Sequence, residues 1–194
     1  MKQGKNIIWL SYLIVLMVIL ILTSFNTKPN NNWSDLLENS VKEFIDCKES
    51  NPNTIIPCSK YVGLALKEVY KTNDFYLQTE KRYMTNSEIA DYLQKNEKWK
   101  LLGKAYDQKV LEEAQNIANA NRPVMAIYVN SENICHTAII LPGELKLSGT
   151  WGFKVPNSVS FFFNEPENSY VGKPLSYAFR RDMIMQVLIY GRDK

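Results

Sequence analysis

Two side chains in this sequence have the chemistry of a nucleophile and its base, Cys58 and His136. A cysteine attacks well only as the thiolate, which the first turn of a helix favours through its unpaired N–H groups and its dipole. Cys58 follows Pro57 and opens a helix-periodic run, so its expected position suits that role. His136 is the one histidine of the chain. A thiol and an imidazole distant in sequence and adjacent in space is the usual arrangement of cysteine hydrolases. In such a site the Cys58 thiolate would attack an acyl carbonyl, while His136 took the thiol proton and later delivered it to the leaving group. The Cys58 N–H would help hold the oxyanion at the helix start.

The bland alternatives are as specific. A lone cysteine is often a small hydrophobe, and a strand histidine is often a satisfied, partly buried residue. Cys47 lies 11 positions before Cys58, and outside the cytoplasm the two could form a disulfide that leaves Cys58 inert. Cys135 is the rival thiol, but successive strand side chains point to opposite faces, so it is expected not to share a face with His136. With three cysteines and one histidine at spacings of 11, 77 and 1, no zinc pattern is met, and neither a metal nor another cofactor is expected.

The elements that must position these residues can be read from periodicity. Ser34 can cap a helix with apolar positions Leu37, Val41, Phe44 and Ile45, ending near Cys47. Residues 48–57, with two prolines, read as a loop. Tyr61, Val62, Ala65, Leu66 and Val69 mark a second helix from Cys58 to about Lys71. Thr85 with Glu88 is a capping-box signature for a helix through Leu93. Trp99 to Gly103 reads as a short link, and Val110, Leu111, Ala114, Ile117 and Ala118 give another helical stripe. After Pro123 the texture changes. Residues 124–129 (VMAIYV) and 134–141 (ICHTAIIL) form an expected hairpin around 130–133, and 159–163 and 186–190 are further strand candidates. Helices first and strands last predict an α+β fold with helices packed on a mostly antiparallel sheet.

At the N-terminus, Lys2 and Lys5 precede an apolar run from Ile7 to Phe25. Nineteen residues of helix span roughly 28 Å, close to the thickness of a bilayer core. Residues 1–25 are therefore expected to be a transmembrane anchor with the N-terminus inside, and a cleaved signal segment is the alternative. Residues 26–33 read as a linker and 34–194 as one domain lying outside the cytoplasm, secreted if the segment is cleaved. Net charge is +3, from 23 basic and 20 acidic residues, with no basic run. Nucleic acid is not expected as a partner.

Residues 57–62, PCSKYV, at a helix start resemble the catalytic segment of bacterial papain-like amidases of the NlpC/P60 and CHAP kind. Residues 114–143 resemble their helix, strand and Gly-His-x-Ala strand with its Pro-Gly turn, although Cys135 stands where Gly is common. With Ser148, Trp151, Pro156, Asn157, Phe161 and Ala178-Phe179, the likeness covers most of residues 50–192. It implies a papain-like fold, hydrolysis of amide bonds in peptidoglycan peptides, Cys58 as nucleophile and His136 as base. A polar residue orienting the imidazole is also implied. Asn157 is the first choice, then Ser148 and Asn164. Trp151, Tyr61 and Phe161–Phe163 could line a groove, although core is the commoner role for such residues; Ser148 and Trp151 are taken as the substrate-binding candidates. A catalytically inactive member of the fold, binding cell wall or protein, and an acyltransferase on the same scaffold are the rival expectations.

Overall fold

The structure, a computed structural model, describes residues 33–130 and 135–193. The expected anchor over 1–25 and the linker up to residue 32 lie outside the described residues. No helix among the described residues is long and apolar enough to cross a membrane.

The helices form where the apolar period is 3.6. Helix α1 (Trp33–Ser50) buries Leu37, Val41, Phe44 and Lys48, spaced four, three and four apart. Lys48 is buried although charged, and its Nζ donates to the carbonyls of Asn51, Pro52 and Thr54. The lysine thereby ties down the loop that follows the helix. Helix α2 (Ile56–Tyr70) begins two residues before Cys58, with Pro57 at its second position, where the missing N–H has no helical partner to lose. Gly63 lets the ring of Tyr83 lie against the α2 backbone, because a Cβ there would come within 2.1 Å of that ring. Tyr83 belongs to a small hairpin, β1 (Tyr76–Leu77) with β2 (Arg82–Tyr83). Helix α3 (Asn86–Lys95) carries the full capping box, with the Thr85 side chain accepting from the Glu88 N–H and the Glu88 side chain accepting from the Thr85 N–H. Helix α4 (Gln108–Asn119) is capped by Asp107.

Six strands form one antiparallel sheet in the order β3 (Trp99–Lys104), β10 (Leu188–Arg192), β4 (Val124–Val129), β5 (Cys135–Ile140), β8 (Asn157–Ser160), β9 (Tyr170–Pro174). A two-stranded ribbon, β6 (Lys146–Leu147) with β7 (Lys154–Val155), lies in the β5–β8 connection. The α+β architecture is therefore as the order of helical and strand patterns predicts. Trp99–Lys104 is an edge strand rather than a link, and β9 joins the opposite edge.

The central hairpin has a direction. Along β4 the residues are buried from Val124 to Ile127 and half-buried at Tyr128 and Val129, and along β5 Cys135 and His136 are half-buried before four buried residues. Register places Tyr128 opposite His136 and Val129 opposite Cys135. His136 thus lies at the partly open end of the sheet's central pair.

Candidate functional site: a cleft at the open end of the sheet

The partly open end of β4 and β5 borders a cleft of ≈ 940 Å³. Its floor includes Tyr128, Cys135, His136 and Phe162, and Ile55 and Phe163 form an apolar side. Thr85, Asn86 and Ser87 at the start of α3 form a polar side, with Arg180 and Asp182 also on the cleft. Arg180 pairs with Asp182 through Nη2 and Oδ2 at 2.9 Å, and both are exposed.

His136 is fixed on three sides. Its Nε2 lies 2.9 Å from the Ser160 hydroxyl on β8, and its ring packs on Phe162 and Phe179 with centroids 4.4 and 5.4 Å away. Burial among these groups disfavours the imidazolium and pushes its pKa down to about 4, so the ring is neutral at physiological pH. The polar neighbour of the imidazole is therefore Ser160. Asn157 begins β8 and pairs with Pro174 on the edge strand; its backbone carbonyl accepts from the Leu141 N–H and its buried Oδ1 has no hydrogen-bond partner among the described residues. Asn164 lines the same cleft as His136. Ser160 sits in the run Ser160-Phe161-Phe162-Phe163. The phase of its strand against β5, and not any local motif, brings it to the ring.

Alternation separates Cys135 from His136, as expected of an extended strand. The Cys135 thiol donates to the Asn86 carbonyl at 3.3 Å, and Thr137, two residues on, donates to Asn86 Oδ1 at 3.1 Å. His136, between them, turns toward Ser160 and Phe179. Burial, with Asp91 nearby, pushes the Cys135 thiol up to about 12, so it is protonated at neutral pH and a poor nucleophile.

Cys58 is the third residue of α2, and its sulfur is bonded to that of Cys47 in α1. In this state it has no thiol. The residue is fully buried and is not among those lining the His136 cleft. Its N–H donates to the Ile55 carbonyl at 3.1 Å, within the first turn of the helix. The residue from this segment that does line the cleft is Ile55, which stands at the helix N-cap and is 57% exposed. The aromatic run after β8 has two sets of packing partners. Phe161 and Phe163 pack on Phe44 of α1, whereas Phe162 packs on His136. The structure brings His136, Asn164 and Cys135 to one cleft and leaves Cys58 under α1.

Ser148 and Trp151 stand elsewhere, in the turn between β6 and β7. The Ser148 hydroxyl donates to Ser176 at 2.8 Å and accepts from the Trp151 N–H at 3.1 Å. Trp151 is buried and its indole N–H donates to the Phe179 carbonyl at 3.2 Å. Neither lines the cleft. Trp151 acts on it at one remove, by fixing the segment whose Phe179 ring packs on His136. Tyr61 and Phe161 are core residues, while Phe162 and Phe163 face the cleft. No model of a known protein family matches this chain, and no curated protein matches it either.

Proposed function

We propose that residues 34–194 are a papain-like α+β domain, held outside the cytoplasm by residues 1–25, that binds peptidoglycan peptides in the His136 cleft without cutting them. The observation that carries this reading is the state of Cys58. Its sulfur is bonded to Cys47, it is buried, and Ile55 takes its place at the cleft. Without a thiolate beside the imidazole, the acyl-transfer step has no nucleophile. The Cys135 thiol beside the cleft is held protonated and offers no substitute. What the cleft retains is concavity, apolar walls and a few polar groups, which is the composition of a binding site.

Hydrolysis of the same amide bonds is the second reading. It draws on the position of Cys58 in the first turn of α2 and on the resemblance of residues 57–62 and 114–143 to the NlpC/P60 and CHAP amidases. It requires the bridge to open and the helix start to move until Cys58 reaches His136. Both readings are tested by incubating the full chain and its Cys47→Ser variant with purified peptidoglycan sacculi. Retention on sacculi with no release of new amines, before and after reduction, is the expected result. Amine release by Cys47→Ser or by the reduced chain, abolished by Cys58→Ala, would establish the hydrolase instead. Absence of retention in every form would remove peptidoglycan as the ligand.

A further inference from the structure

We infer that Ser160 locks His136 in the tautomer protonated on Nε2, so that the cleft presents Nδ1 as a hydrogen-bond acceptor and selects ligands bearing an amide N–H. This rests on the proposed binding role of the same cleft and adds the chemical feature the cleft reads.

The argument is a count of donors and acceptors. The Ser160 hydroxyl has a single proton and lies 2.9 Å from His136 Nε2 and 3.0 Å from the Thr137 carbonyl. The carbonyl can only accept. If the hydroxyl donates to Thr137, Nε2–H donates to the serine oxygen, and both contacts are hydrogen bonds. In the other tautomer the hydroxyl must choose between two acceptors, so one contact is lost, and a proton on Nδ1 finds no protein acceptor among the described residues. Ser160 is only 1% exposed, so water does not readily replace the lost bond, and leaving a buried group unpaired is costly. The arrangement with two satisfied bonds is the stable one.

Position then decides which atom meets a ligand. Ser160 does not line the cleft, whereas His136 does. With Nε2 turned to the serine, the opposite edge of the ring, which carries Nδ1, is the polar edge left for the cleft. Phe162 and Phe179 on the ring keep it neutral and in place. A neutral nitrogen lone pair in apolar surroundings pairs with an uncharged N–H and gains nothing from a carboxylate or a carbonyl, both of which only accept. The Nδ1 lone pair therefore distinguishes a secondary amide from an ester or tertiary amide of the same shape. Truncation of such a bond is worth about tenfold in affinity.

Because His136 is the only histidine, its ring nitrogens are identified without ambiguity in the 15N spectrum of the full chain. At pH 7 the wild type is expected to show a protonated Nε2 and an unprotonated Nδ1, and Ser160→Ala to show a mixture of tautomers. N-methylacetamide, which has one N–H, should shift the Nδ1 resonance, while N,N-dimethylacetamide, which has none, should not. His136→Phe should retain sacculi about tenfold less tightly than wild type. A wild-type ring protonated on Nδ1 would overturn the inference. So would equal responses to the two amides, or undiminished retention of sacculi by His136→Phe. If wild type fails to retain sacculi, the peptidoglycan reading fails while the tautomer and the amide titrations still decide the inference.

Discussion

At the residue scale, His136 has a measurable effect on stability. Its pKa is near 4 in the folded chain against an ordinary 6.5, because burial disfavours the charged ring. Between those values the unfolded chain binds a proton that the folded chain refuses, so stability falls as pH is lowered from 6.5 toward 4 and is fully present above 6.5. The contribution is at most about 3 kcal/mol, and nearer 2 because the residue keeps partial solvent contact. Urea denaturation at pH 7 and pH 4.5 should show His136→Phe losing that part of the pH slope; an unchanged slope would mean the ring is already hydrated. The second residue-scale expectation concerns the bridge. Cys47 and Cys58 are 11 positions apart, and closing a loop of that length in the unfolded chain is worth about 3 kcal/mol. Reduction should lower the Tm by roughly 6–12 °C in a domain of this size. A shift within a degree would indicate that the reduced form keeps the loop through Lys48 alone. In the sequence both cysteines were visible, and so were both fates of Cys58. Pairing depends on a Cα separation, 5.9 Å here, that no spacing rule supplies. Ser160 was hidden for the same reason. Its partner, His136, lies on the neighbouring strand, and the register between them follows from the whole sheet.

At the element scale, legibility follows how much of each element's pattern is local. Thr85 and Glu88 lie one helical turn apart and satisfy each other's backbone, so the start of α3 can be read from four residues. Arg82 strengthens the box, its guanidinium gripping both Glu88 oxygens at 2.6 and 2.8 Å and holding the carboxyl down near 2. Thr85→Ala should cost about 1 kcal/mol, measured by thermal melts. Because Thr85 and Asn86 also line the cleft, the same variant should loosen the α3 side of it without touching His136. The central hairpin was legible because both strands are largely apolar and β-branched-rich. The edges were not. Strand β3 is paired only to β10 and exposes Lys100 and Leu101 in succession, which breaks the alternation that marks a strand. Strand β9 contains Gly172 at φ 75° and ends in Pro174, residues that read as a turn; an edge tolerates both, since one side of it needs no ladder bonds.

At the scale of the whole molecule, the chain is closed by one carboxylate. Asp74, in the loop after α2, accepts from Arg192 Nε at 2.6 Å, Trp99 Nε1 at 3.0 Å and Thr72 Oγ1 at 2.6 Å. It thereby joins the helical half to the edge strand β3 and to the last strand, β10, 118 residues later. Burial alone would raise its pKa, but the bonds from Arg192, Thr72 and Trp99 outweigh that and hold it below the usual carboxylate range. Its stabilisation is therefore present above the ordinary carboxylate pKa and lost as pH falls through the depressed one. Asp74→Ala strands the largely buried Arg192 guanidinium and the Trp99 N–H together, so a loss of about 3–5 kcal/mol is expected. Asp74→Asn keeps an acceptor for the indole and loses only the charge, so it should lose roughly half as much. Paired denaturation curves of the two variants separate the causes. If Asn is as damaging as Ala, the ion pair with Arg192 carries the clasp; if Asn is nearly silent, the tryptophan bond does. In either case the cleft lies at the opposite, open end of the β4–β5 pair, where Tyr128 faces His136, whereas Arg192 binds the Pro123 carbonyl beyond the other end. The retention of sacculi by folded Asp74→Asn should therefore match wild type, and a parallel loss of retention and stability would show that the clasp and the cleft are coupled.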